Sequence, residues 1–161
     1  AWAVGDVHLG AWTLLAGVRY ARLRFASDDR FIAPGNGDDG GRERFAETAA
    51  SLGAARAFED GELFASLGRG FETPTVTELA YRPDGGAGFN RRLGPASFVS
   101  GEVGLRWRVG GHALAMAAYR VDGREEIVPA DSRGGRASFA NAGRTRRDGI
   151  ELGLRGPLGA Q

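Results

Sequence analysis

Two adjacent arginines, Arg91-Arg92, follow Phe89-Asn90 in the longest irregular stretch of the sequence, and Tyr81-Arg82 lies just upstream. A guanidinium offers a rigid fork of donors that can grip an anionic oxygen pair, and it also stacks on aromatic faces. Arginines and aromatics on one loop are therefore the side chains that would capture an anionic or aromatic ligand. Tyr81, Arg82, Phe89, Asn90, Arg91 and Arg92 are the candidate ligand-binding residues. The competing expectation is that Phe89 only packs the loop while the arginines are solvated.

Other chemistry is thinner. The two histidines, His8 and His112, each lie beside a short glycine turn, away from the long loops, so a Ser–His–Asp relay has no shared location. Without cysteine there is neither a disulfide nor a thiolate metal site. The run between Asp28-Asp29 and Asp38-Asp39 has oxygen ligands for Ca²⁺ but no EF-hand register, and reads as a solvated loop. Gly85, Gly86 and Gly88 lack the strand-to-helix setting of a phosphate cradle. No catalytic residue, metal site or cofactor is assigned. A net charge of +1 gives no electrostatic case for nucleic acid. Every basic residue is arginine, which fits a GC-rich coding bias, so the arginines are not each read as functional.

The elements around the loop read as strands. From Val99 to Val109 the odd positions are Val99, Gly101, Val103, Leu105, Trp107 and Val109, and the even ones Ser100, Glu102, Gly104, Arg106 and Arg108. Period-2 alternation makes one apolar and one polar face. In Trp12 to Phe25 the even face runs Trp12, Leu14, Ala16, Val18, Tyr20 and then turns abruptly to Arg22 and Arg24. A tilted strand crosses a bilayer in about 9–11 residues with aromatics at both interfaces. By this parity Trp12, Leu14, Val18, Tyr20, Val103, Leu105, Trp107, Ile150, Leu152 and Leu154 face lipid, and Arg19, Glu102, Arg106 and Glu151 face a wet lumen. Arg22, Arg24, Arg144 and Arg146 share the outward parity beyond the apolar band, at the level of lipid phosphates.

Further strands are expected over Trp2–Leu9, Phe45–Phe58, Leu63–Arg69, Ala113–Asp122 (its facing undecided) and Ser138–Arg155. Loops are expected over 27–44, 70–96 and 129–135, with a last turn over 156–159. Pro74 suits a helix first position, and Thr75 with Glu78 matches a capping box. Short and long connections alternate, as in an outer-membrane barrel with turns at one end and loops at the other. The fold class expected is all-β: about seven meandering antiparallel strands of a transmembrane barrel. An unpaired strand edge costs several kcal/mol per backbone group in hydrocarbon, so such strands must belong to a larger closed barrel. Residues 1–161 are accordingly expected to be a partial barrel domain. A small structural or adhesion barrel and a soluble sandwich are the alternatives.

Phe64-Ala65-Ser66-Leu67-Gly68-Arg69-Gly70-Phe71-Glu72-Thr73-Pro74 with Glu78-Leu79 resembles the strand-and-loop signature of TonB-dependent outer-membrane receptors. In the same order follow Asn90 to Pro95 with Glu102-Val103-Gly104, then Tyr119 to Ile127, then Asn141-Ala142-Gly143 with Gly149-Ile150-Glu151-Leu152. Gly94-Pro95-Ala96 departs from the proline–glutamate that many members carry after the leucine. The resemblance implies an internal to C-terminal piece of a plugged barrel of about 22 strands, without the plug, the energy-coupling box or the terminal aromatic strand. It further implies residence in the bacterial outer membrane among its lipids, and uptake of a scarce small molecule such as a ferric siderophore. That uptake would be driven by the TonB complex through the missing plug. A small cofactor such as a corrinoid or quinone is the other ligand class.

Overall fold

The computed structural model describes residues 1–133 and 136–157. The chain forms one antiparallel sheet of seven strands laid side by side in sequence order. They are β1 (Trp2–Leu9), β2 (Trp12–Ser27), β3 (Gly41–Phe58), β4 (Gly61–Glu72), β5 (Ala96–Val109), β6 (His112–Arg133) and β7 (Arg136–Arg155), with one helical turn, α1 (Val76–Leu79), between β4 and β5. The expected all-β meander is what forms, and the sheet is open, with β1 and β7 each unpaired on one side. Two-residue turns join β1–β2, β3–β4 and β5–β6 at one end. In the last of these Gly110 and Gly111 take φ of 56° and 78°, the left-handed pair that a two-residue hairpin of this hand requires.

The register decides the faces. Val7, Leu14, Ala54, Ala65, Val103, Ala118 and Ile150 are successive cross-strand partners, one apolar rung across all seven strands. The next rung, Asp6, Leu15, Gly53, Ser66, Glu102, Tyr119 and Gly149, points the other way and is mixed. All ten residues expected on the apolar side fall on the first face; Arg19, Glu102, Arg106 and Glu151 fall on the second. For β6 the register resolves the facing left open: Leu114, Met116 and Ala118 join the apolar face, while Ala113, Ala115, Ala117 and Tyr119 turn inward.

The apolar face covers nothing. Val103 is 57% exposed and Ile150 78%, and among the described residues the buried hydrophobics are only Leu79, Phe89, Leu93 and Ala96. The compact core therefore lies under the β4–β5 loop, and the rest of the sheet is a wall greasy on one side.

Several expected boundaries move. β3 starts at Gly41, β4 spans Gly61–Glu72 and β7 starts at Arg136. The loop expected over 129–135 is mostly strand, since β6 continues to Arg133 and Pro129 pairs with Phe139. Proline has no N–H for a ladder and favours irregular points; the register slips between Pro129 and Asp131. The capping box forms as expected, but Thr75 is the N-cap, so Pro74 precedes the cap instead of starting the helix. In the expected final turn, Leu158 and Gly159 lie outside the described residues.

Candidate functional site

At the long-loop end, residues 73–95 fold back onto the mixed face. Thr75 Oγ1 accepts from the Glu78 N–H at 3.3 Å, and the Glu78 carboxylate takes the Thr75 N–H at 2.7 Å. This reciprocal cap fixes α1 and turns Leu79 inward, where it is fully buried. Leu79, Phe89 and Leu93 pack together against Phe25, Phe45, Ile127 and Phe139 from four strands. Phe89 lies flat on Gly41: a Cβ there would sit 2.5 Å from the ring, so only glycine admits this contact.

Two asparagines tie the loop down. Asn90 donates to the Phe139 carbonyl at 2.9 Å. Asn141 reads the Gly94 peptide from both sides, accepting its N–H at 2.8 Å and donating to its carbonyl at 2.9 Å. It also donates to the Glu125 carbonyl at 2.6 Å. Glu125 is the one non-glycine among the described residues with positive φ, 57°. This kink turns the Glu126 carboxylate onto Arg147, bonded at 2.8 and 2.7 Å, and onto the Thr145 hydroxyl.

Arg136, the first residue of β7, ties the β2–β3 and β4–β5 connections together. It donates to Asn36 at 2.8 Å, lies 3.6 Å from Asp39, and stacks 5.0 Å over the Tyr81 ring. Within the β2–β3 loop the acids serve the backbone. Asp29 accepts from the Phe31 and Asp39 amides and Asp38 from Gly40. The Phe31 amide, then the Asp39 amide, hold the Asp29 carboxyl below the ordinary carboxylate range. A depressed pKa supplies its contribution above the unfolded value and loses it as pH falls through the folded one. The protection factors of the Phe31 and Asp39 amides, taken relative to intrinsic exchange at each pH, should therefore fall on acidification below about pH 4, and an Asp29→Asn variant should lack that step.

The candidate ligand residues separate by burial. Phe89 and Asn90 are 4% and 3% exposed and act on the loop itself. Tyr81 is half-buried under Arg136, and Arg82 is engaged by Asp84 at 2.6 Å, which pulls the Asp84 carboxyl down. Arg91 reaches Glu43 only at 3.4 Å, with its side chain 75% exposed. Arg92 is exposed, and no ion pair to it forms among the described residues, although its charge helps to hold the Asp84 carboxyl down. These two arginines border a cleft of about 1000 Å³ walled by Arg82, Phe89, Asn90, Glu125 and Asn141. Asn141, Glu125 and Arg136 are not singled out by residue chemistry; Asn141 appears only within the family-like segment, and its partners Gly94 and Glu125 lie 47 and 16 residues away.

The residues expected to face the lumen do not converge on that cleft. Arg106 bonds Glu62 at 2.5 Å and lies over the Phe64 ring near the short turns. Glu102 sits between Ser66 and Tyr119, and Glu151 opposite Ala117. His8, also near the short turns, contacts Asp6 at 3.1 Å and Thr13 at 2.9 Å.

A family model described as "TonB dependent receptor-like, beta-barrel" matches residues 1–160. Among solved structures, the copper transporter OprC superposes with a TM-score of 0.75 at 17% identity, over 95% of this chain and 25% of its own. The FrpB iron transporter of Neisseria meningitidis gives 0.71 at 18%, over 98% and 23%. The siderophore receptor PirA of Pseudomonas aeruginosa gives 0.70 at 21%, over 98% and 31%. At such identities the likeness is one of fold. The chain spans between about a quarter and a third of the length of these proteins.

Proposed function

Because this chain belongs to the TonB-dependent receptor β-barrel family, whose members are outer-membrane barrels, we propose that it forms a ligand-binding part of the wall of an active-transport receptor. The residues facing outward along the apolar rungs contact lipid, and the mixed face lines the lumen. The ligand is an anionic metal chelate of the ferric siderophore type, and the TonB complex drives its release through a plug domain.

The observation that carries this reading is the cleft beside Arg91 and Arg92, two exposed arginines of which one has a 3.4 Å contact to Glu43 and the other only the more distant charge of Asp84. Its volume of about 1000 Å³ sits at the upper end of the usual range for small-molecule sites. Tyr81 and Arg82 support its rim, and the buried Phe89 and Asn90 hold the rim in shape. Proteins of like fold named above are described as an iron transporter and a siderophore receptor, which agrees with this ligand class.

The test is uptake of radiolabelled ferric chelate by iron-starved cells in which the full-length protein is the sole receptor. A hydrogen bond to a charged group contributes about 1.5–3 kcal/mol, so Arg91→Ala with Arg92→Ala should raise the half-saturating concentration at least tenfold. Surface expression should not change. If deleting the gene leaves growth on the chelate intact, the siderophore reading falls and a corrinoid or quinone is the next ligand to assay.

A further inference from the structure

We infer that Asn36 is a site of spontaneous deamidation, promoted by Arg136, whose product rebuilds the junction between the β2–β3 and β4–β5 loops. The modification is independent of which ligand the barrel carries.

Asn36 is followed by Gly37 in the β2–β3 loop. The chain reaches it through a tight turn. Pro34 fixes the first corner, and Gly35 takes the second with φ of 82°. Ala33 and Asn36 exchange both backbone hydrogen bonds across it, at 3.0 and 2.8 Å. Gly37 is exposed, and no hydrogen bond from its N–H forms among the described residues. A glycine amide has no Cβ to shield it, and its backbone turns freely. It is therefore the least hindered nucleophile that a following residue offers to an asparagine side chain.

The amide to be attacked is already held as an electrophile. Arg136 Nη2 donates to Asn36 Oδ1 at 2.8 Å, and Asn36 Nδ2 donates to the Phe31 carbonyl. A guanidinium on that oxygen stabilises the charge that develops as Cγ becomes tetrahedral. Water is the one co-reactant. Hydroxide takes the Gly37 N–H proton as the N–Cγ bond forms. The Cγ–Nδ2 bond then breaks, and ammonia leaves with a proton from water, which restores the hydroxide. A second water opens the five-membered imide at either carbonyl, giving aspartate or isoaspartate at position 36. No electron is gained or lost.

Comparable positions are closed. Asp39-Gly40 and Asp84-Gly85 could form the same imide, but the Gly40 N–H is bound to the Asp38 carboxylate at 2.8 Å and the Gly85 N–H to the Arg82 carbonyl at 3.0 Å. Asn90 is 3% exposed, and the Arg91 N–H that follows it goes to the Phe89 carbonyl at 2.9 Å. Asn141 sits in the β6–β7 ladder with an alanine after it, its amide bound on both sides by Gly94.

Either product changes the junction. Aspartate turns the contact with Arg136 into an ion pair, beside Asp39 at 3.6 Å, and takes the Nδ2 donor from the Phe31 carbonyl. Isoaspartate adds one carbon to the backbone between residues 36 and 37. Gly37 is packed so closely that a Cβ on it would lie 3.0 Å from the Ala87 Cβ. The longer chain cannot keep both that contact and the Ala33 bridge.

The experiment ages the full-length protein in detergent at mildly alkaline pH and digests it with trypsin, which releases residues 31–42 as one peptide. Fresh protein digested in parallel corrects for modification during handling. The peptide should gain the mass difference between an amide and an acid, and accept a methyl group from isoaspartyl methyltransferase. Peptides carrying Asn90 and Asn141 should stay unchanged. Asn36→Gln should give no product, Arg136→Ala should form it at least threefold more slowly, and Arg136→Lys should keep part of the rate. Heat-modifiable gel mobility verifies that each barrel is folded. Hydrogen exchange over residues 28–40 should quicken with age in the wild type and not in Asn36→Gln. No product in the folded protein, equal accumulation at Asn90 or Asn141, or a rate in Arg136→Ala equal to or above wild type overturns the proposal.

Discussion

Val103→Arg in the full-length receptor should remove most folded protein from the outer membrane, while Glu102→Gln, one residue away, leaves it near wild-type level. Val103 sits in the middle of the apolar rung that runs from Val7 to Ile150, flanked by Ala65 and Ala118. At 57% exposure it has few protein neighbours to lose. The cost comes from the bilayer, about 2–4 kcal/mol for an arginine near the midplane of a barrel's lipid face. Set against a total stability of about 5–15 kcal/mol, that is enough to stall assembly. Glu102 faces the other way between Ser66 and Tyr119, where a neutral amide keeps the shape and the hydrogen-bonding capacity. The measurement is the heat-modifiable fraction in isolated outer membranes. Equal loss in both variants would mean that the faces are assigned wrongly.

This contrast was legible in the sequence because a strand between lipid and a wet lumen must alternate. Val99 to Val109 states the pattern residue by residue, and the register of β5 agrees with it throughout. Legibility ended where the apolar rungs end. Beyond Asp122, β6 carries Arg124, Glu126 and Asp131 without apolar alternation, so there is no period-2 signal. The Pro129 break added a turn cue to what is a strand. The start of β3, Gly41-Arg42-Glu43-Arg44, was hidden for a related reason, since charged residues on both parities mark neither face. Loop packing was hidden differently. Phe89 and Asn90 are the residue types that would touch a ligand, and what buries them, Gly41 and Phe139, lies about 50 residues off on either side. Local chemistry located the right loop but could not tell its rim from its core. The family-like segments did contain Asn90 and Asn141, the amides that clamp the loop, though their role needed the register to become visible.

Releasing that clamp should separate ligand binding from barrel assembly, and Asn141→Ala with Phe89→Ala is the pair to do it. Truncating a buried phenylalanine costs about 3–5 kcal/mol in a full core, and less in this small cluster, which is open on one side. Asn141→Ala strands both polar groups of the Gly94 peptide, at about 1–3 kcal/mol for a group left buried and unpaired. Neither change touches the apolar rungs or the ladder between β4 and β5, so the folded barrel should still accumulate. Opening is then local, the loop leaving its seat while the sheet persists. Hydrogen exchange over residues 76–93 should accelerate by orders of magnitude, and the half-saturating chelate concentration should rise at least as far as in the Arg91, Arg92 double variant. The rim arginines bind only while Leu79, Phe89 and Leu93 hold them around one cleft, so adding the arginine changes to the released loop should cost little more. A released loop with unchanged chelate affinity would move the ligand away from this cleft altogether. Loss of the barrel itself would show that the loop cluster is a folding nucleus for β4 to β7 and not merely the scaffold of a mouth.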